Sequence, residues 1–312
     1  MLDIVGKRYW YFLFSLLVIV PGVISLAIPP AFKPGVEFTS GSTTTLRFEQ
    51  PVDQEELRQA YHELGHADAI IQHAGEGEYL VRTRTLAPGT AAGPGEKEDI
   101  EAALRERFGA LTVLDFATVS PVVAAEIVRN AALAVAAASV GILLYITWAF
   151  RSVSHPVRYG TCAIVALVHD ILVVVGLFSI FGKVFGTEIN AMFITALLTV
   201  IGFSVHDTIV VFDRIRENLK RNPGREFDDV VNESLLQTLG RSLNTSLTVV
   251  LTLVALILFG GVTIRDFVLV LLIGIISGTY SSVFNASQLL VVWEYGELGT
   301  LFRRLRTTLR SA

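Results

Sequence analysis

The sequence predicts an α-helical integral membrane protein with six transmembrane helices and a small α+β domain between the first and second. Three observations predict this. Of 312 residues, 52% are hydrophobic and only 17% charged, and the mean hydropathy is +0.57; a soluble domain carries charge on about a quarter of its residues. Several apolar runs reach the roughly 20 residues that a helix needs to cross the hydrocarbon core. A polar stretch, residues 31–125, lies between the first run and the rest.

The elements follow in order. Residues 1–30 hold a cytoplasmic N-terminus and the first span, Tyr9–Ile28, preceded by Lys7 and Arg8. The run is longer than a signal-peptide core and lacks an A-x-A cleavage site, so a retained span is expected. Pro29, Pro30 and Pro34 then stop the helix. In 31–125, strand patterns at Ser42–Glu49, Ala69–His73, Tyr79–Arg84 and Leu111–Val119 alternate with helical patterns at Asp53–Leu64 and Lys97–Phe108. Asp53 and Glu56 have capping-box spacing. Leu86–Glu96 is a Pro/Gly loop. The order β-α-β-β-α-β predicts a ferredoxin-like split βαβ arrangement. His62, His66 and His73 read as surface histidines, because neither carboxylate nor cysteine completes a ligand set with them. No metal or cofactor is expected.

Five spans are expected in 126–295: Asn130–Phe150, Tyr159–Phe181, Asn190–Phe212, a fifth including Leu243–Phe259, and Phe267–Trp293. A cytoplasmic loop at 213–236 separates the fourth from the fifth, and 296–312 is a basic cytoplasmic tail. The single cysteine, Cys162, forms no intrachain disulfide. Lys7, Arg8, Arg151, Arg158, Arg214, Arg216, Lys220, Arg221, Arg225, Arg303, Arg304, Arg306 and Arg310 all fall on one side, against Lys183 and Arg265 in the short loops of the other. The positive-inside rule puts both termini in the cytoplasm and 31–125 outside.

Chemistry concentrates where charge enters these spans. Asp207 sits in the fourth run, six residues before Asp213 and so roughly 9 Å of helix rise from the polar end. A carboxylate there is costly unless it faces protein or water, and Asp is too short to snorkel well. Counting back from Gly260 starts the fifth span near Gln237 and places Arg241 about one turn inside, at a similar depth. Arg241 then either tunes proton exchange at Asp207 or snorkels to membrane lipid phosphate. Asp170 lies deeper, about twelve residues from its cytoplasmic end, and is not expected to touch Asp207. His169 and His206 each precede an Asp; successive helix positions diverge by about 100°, so each His is expected to face away from its Asp. They read as structural hydrogen-bonders. Asn190, Ser242, Asn244, Thr245, Ser246 and Thr248 add polarity suited to interhelical bonds. Gly274, Gly278, Ser282 and Ala286 form a small-residue stripe for close helix packing. No P-loop, nucleophile elbow or metal motif appears, so neither an enzyme nor a nucleic-acid partner is expected.

These segments carry a resemblance. VIGFSVHDTIVVFDRIREN (Val200–Asn218), NESLLQTLGRSLNTSLT (Asn232–Thr248), GTYSSVF (Gly278–Phe284), ALVHDILVVVGLFS (Ala166–Ser179) and GVEFTSGS (Gly35–Ser42) resemble, in order, signatures of the bacterial SecF family, within the SecD/SecF group and the RND superfamily. The chain departs from that pattern at Glu37, where Asp is usual, at His206 for Asn, at Asn285 for an apolar residue and at Gln288 for Pro. The resemblance implies half of an RND-like architecture in the bacterial inner membrane. It implies that SecD, the SecYEG channel, the ATPase SecA and YajC are partners and that a preprotein is the substrate. It further implies that the proton-motive force completes translocation after SecA acts, with Asp207 and Arg241 as the proton relay; Asp170, His206 and Asn244 are read from their place in the spans as secondary polar residues. Two other readings are an RND small-molecule exporter half, which predicts a larger external region with an apolar pocket, and a static scaffold whose polar residues only fix packing.

Overall fold

The computed structural model describes residues 2–75, 77–87, 89 and 95–297. Most of the Pro/Gly loop and the basic tail beyond 297 lie outside the described residues. After a 3-10 turn at Val5–Lys7 come α1 (Arg8–Ala27), α2 (Val36–Thr39), β1 (Gly41–Phe48), α3 (Gln54–Glu63), β2 (Ile70–Gly75), β3 (Glu78–Thr83), α4 (Glu96–Phe108) and β4 (Leu111–Val119). Then follow α5 (Pro121–Ala149), α6 (Pro156–Val184), α7 (Ala191–Arg221), α8 (Phe227–Phe259), α9 (Val262–Ser281), a π-helical turn (Ser282–Ala286) and α10 (Ser287–Glu294). The chain divides into two units, one of Pro34–Ala132 with Ile189–Ala191, the other of the remaining segments.

The smaller unit is a four-stranded sheet in the order β2-β3-β1-β4, antiparallel at every pairing, with elements running β-α-β-β-α-β along the chain. Alternation on β1 buries Thr44, Leu46 and Phe48, the period-two pattern of a strand with one covered face. Leu57 of α3 and Leu104 of α4 complete that core. Asp53 caps α3 by accepting from the Glu55 and Glu56 amides at 2.8 and 3.3 Å, which satisfies two of the orphan donors of the first turn. His66 departs from its expected surface position. The tight turn at Gly65, with φ of +86°, lets the His66 amide donate to the Tyr61 carbonyl at 2.8 Å. That folds the ring inward, edge-on to Tyr61, with Nε2 3.4 Å from Glu96 Oε1. Glu96 also accepts from the Ala87 amide at 2.9 Å and pairs with Arg84, and these donors hold its carboxyl below the usual carboxylate range.

Among the described residues, six helical segments are long and apolar enough to cross a membrane: Val5–Ala27, Pro121–Ala149, Pro156–Val184, Ala191–Arg221, Phe227–Phe259 and Ile264–Glu294. Several outrun the bilayer. The loop expected at 213–236 shrinks to 222–226, because α7 continues to Arg221 and α8 begins at Phe227. Its charges extend the helix: Arg216–Asp213 and Arg214–Glu217 pair at i,i+3 and Arg221–Glu217 at i,i+4. At the base of α8, Asn232 accepts from the Ile4 and Val5 amides at 2.8 and 3.3 Å and so holds the N-terminal segment. Helix α1 crosses α6 at Gly22 and Gly176, where an added Cβ on Gly22 would lie 2.7 Å from the Gly176 Cα. Ser25 and Ser179 hydroxyls meet at 2.8 Å nearby, and Lys183 donates to the Ile28 carbonyl at 2.8 Å.

Candidate intramembrane polar site

The stripe of small residues positions the site. An added Cβ on Gly274 would collide with Val200, and one on Gly278 would lie 3.0 Å from Ser204 Cβ. Ser282 Oγ is 2.9 Å from Thr208 Oγ1. The pairs 274/200, 278/204 and 282/208 advance together, so α9 and its π turn run parallel to α7 in step. Close approach of this kind is what small residues permit between membrane helices. Ala286 is buried in the core below.

That approach places polar side chains around two carboxylates. Asp170, on α6, has no exposed surface. Its Oδ2 accepts from Ser204 of α7 and Ser281 of α9, each at 2.6 Å. Its Oδ1 accepts from Ser277 at 2.7 Å and lies 3.0 Å from His169 Nδ1. The expected divergence of His169 from Asp170 is therefore not observed. The imidazole swings back along the helix, since a 100° offset between Cβ atoms still lets a long side chain reach a short one. Asp207, on α7, is 8% exposed. Its Oδ1 accepts from Ser242 of α8 at 2.6 Å, and its Oδ2 has no hydrogen-bond partner among the described residues.

Arg241 lies beside Ser242 in sequence, so it enters α8 at the depth of Asp207. It does not pair with it: Arg241 is exposed, with no ion pair among the described residues. His206 and Asn244 are likewise exposed. Thr208 donates to the Ser204 carbonyl at 3.1 Å, which ties the turn holding Asp207 to the one that reaches Asp170. Ser246 and Thr279 hydroxyls meet at 2.5 Å and link α8 to α9. The arrangement can fix a carboxylate rigidly at Asp170, and at Asp207 it leaves a buried oxygen free to take a proton without breaking an existing bond.

Sequence reasoning passed over Ser204, Ser277 and Ser281. A signal was present: Ser277 and Ser281 stand four apart, each one residue before a member of the stripe, and so line the face beside it.

A family sequence model, Protein export membrane protein SecD/SecF, C-terminal, matches residues 99–296. The Protein translocase subunit SecF of Thermobaculum terrenum is 53% identical, covering 97% of this chain and 98% of that one. The chain belongs to the SecF family of protein translocase subunits. The SecF of Anaerolinea thermophila is 43% identical over the same shares of the two chains. The crystal structure of SecDF, a translocon-associated membrane protein of Thermus thermophilus, superposes with a TM-score of 0.80 at 35% identity, covering 94% of this chain and 39% of that longer one. With this family and its six apolar helices, the chain is a multi-pass membrane protein.

Proposed function

We propose that this chain pairs with SecD and uses the proton-motive force to complete preprotein export through SecYEG after SecA has acted, with YajC as a further associate. The observation that carries the proposal is Asp207, a buried carboxylate in an apolar helix with one oxygen held by Ser242 and the other without a hydrogen-bond partner among the described residues. Buried ionisable groups in membrane helices mark ion pathways. The pairing with SecD is supported by the fused SecDF chains that this one resembles, in Thermus thermophilus and in Bacillus subtilis.

In this reading both termini are in the inner-membrane cytoplasm face, by the distribution of Lys and Arg. The sheet unit is then a ferredoxin-like extracytoplasmic domain. Asp207 takes a proton from outside and releases it inside, drawn by a potential worth about 2.3 kcal/mol per charge per 100 mV. Arg241, exposed one position from the Asp207 ligand Ser242, sets the field there and is available to a partner helix. The test is preprotein completion in membrane vesicles with and without a proton gradient, all variants at equal amounts. Asp207→Asn is expected to lose the gradient-dependent part while SecA-driven transport persists, and Arg241→Met to do the same. A full gradient response in Asp207→Asn would refute the reading.

A further inference from the structure

We propose that His169 and Asp170 form a second proton-binding site in the bundle, with His169 Nε2 as the atom that takes the proton.

The geometry leads there by elimination. A carboxylate offers about four acceptor positions. All four of Asp170 are occupied, by Ser204, Ser281, Ser277 and His169. A proton can reach Asp170 only by displacing one of them. With three serine hydroxyls donating to it, Asp170 serves as the acceptor and His169 Nδ1 as the donor at 3.0 Å, and the hydrogen bond at one ring nitrogen decides the state of the other. The lone pair then lies on Nε2. That atom is buried and has no hydrogen-bond partner among the described residues, in a residue only 9% exposed.

The charge balance points the same way. Facing the pair are Ser204 from α7, and Ser277, Tyr280 and Ser281 from α9; the only titratable group among them is the Tyr280 phenol. Asp170 has no Lys or Arg partner among the described residues, and His169 is its one potential counter-charge. A buried carboxylate in a membrane helix is costly unless it is paired. A proton on Nε2 makes the ring an imidazolium and supplies that pairing within one dipeptide. The Tyr280 ring lies 6.3 Å from the imidazole, centroid to centroid, inclined by 29°, near the range in which an aromatic face favours a cation. The Tyr280 hydroxyl is already committed to the Tyr11 carbonyl at 2.8 Å, so it is not the donor to Nε2.

The site also has a mechanical neighbour. Ser204 donates to Asp170, and its carbonyl accepts from Thr208, which adjoins Asp207. A change of charge at His169–Asp170 therefore acts on the turn of α7 that carries Asp207. This consequence rests on the proton-coupled reading above; proton binding itself does not.

The test is nitrogen-15 imidazole NMR on the full chain in lipid vesicles, from about pH 9 to about pH 5, the window in which imidazole changes charge. Six histidines are present, and the signals missing from His169→Gln identify those of His169. At the high end Nδ1 is expected to carry the proton and Nε2 to be bare. On acidification Nε2 is expected to gain a proton while Nδ1 keeps its own. In Asp170→Asn, which still accepts from serine hydroxyls, the ring is expected to lose its single tautomer and show both. A bare Nε2 over the whole range, or a proton on Nε2 with Nδ1 bare at the high end, overturns the proposal even if Asp170→Asn fails to assemble. If His169 titrates as described while Asp207→Asn keeps its gradient response, the site stands and the Asp207 reading falls.

Discussion

Asp170 and Asp207 are buried carboxylates in neighbouring helices of one bundle, yet Asp170 meets four donors from three helices and Asp207 meets one. The serines around Asp170 arrive because α7 and α9 touch through Val200, Gly274, Ser204 and Gly278. Asp207 sits on the far side of that contact and looks toward α8, where only Ser242 reaches it. Two buried carboxylates thus form unlike sites. One carboxylate is bound into the packing, and the other keeps an oxygen in reserve. A residue that must gain and lose a proton without unlocking the helices belongs at the second kind of position.

The largest effect expected from breaking this contrast is that of Asp170→Ala. Bonds between membrane helices are worth about 0.6 kcal/mol each on average, so losing four, with the space they close around, should cost on the order of 3 kcal/mol. Thermal unfolding in micelles measures it. Gly22→Ala comes next, because its Cβ would meet the Gly176 backbone, which cannot swing aside; overpacking of this sort costs about 1–3 kcal/mol. Gly202→Ala is the control, since among the described residues its added Cβ meets nothing within 4 Å beyond its chain neighbours and its own helix backbone, and it should be neutral or gain up to about 1 kcal/mol. Asp207→Ala should cost less than about 1 kcal/mol in the same assay. A cost as large as that of Asp170→Ala would remove the distinction between the two carboxylates.

The smallest effect sharpens the comparison from the sheet unit. Glu96 is held below the usual carboxylate range by the Ala87 amide and Arg84. Its contribution is fully present above the unfolded value, about pH 4.3, and fades as pH falls through the lower folded value. Glu96→Gln should therefore weaken the sheet unit near neutrality and leave less to lose on acidification. Unfolding of the sheet unit, followed from about pH 6 to about pH 3, checks this; an unchanged pH dependence in Glu96→Gln would show that Glu96 is not responsible.

Length and hydropathy made the six spans legible, and period-two alternation with turn residues made the strands so, because both patterns are local. Leu111–Val119 was read to its observed ends, and Asp53 was read as a cap because the capping bond reaches only two or three residues ahead. The ends of α7 and α8 were not legible. Charge was taken to end a helix, but Asp213, Arg214, Arg216, Glu217 and Arg221 pair along its surface and prolong it beyond the bilayer. In the site, both aspartates stand out as charges in apolar runs. Their difference does not, because it depends on which hydroxyls three separate helices deliver, and serine is common in membrane helices. His169 was hidden by reasoning from Cβ directions alone, and His66 by a turn whose effect depends on what it packs beneath.

The π turn at Ser282–Ala286 holds one residue more than an α-helical turn would, and Ser287 Oγ reaches back five residues to the Ser282 carbonyl at 3.1 Å. The arms on either side are thereby out of phase by about 100°. Above it, Ser277 and Ser281 address Asp170; below it, Leu290 and Val291 address the apolar core. A chain one residue shorter here would build the same two arms and mis-clock them, keeping the serines on the carboxylate while swinging Leu290 and Val291 off the core. The inserted residue works as an index mark: it lets a single helix answer to two different partners along its length, and it makes this segment intolerant of a deletion that composition and hydropathy would pass as silent.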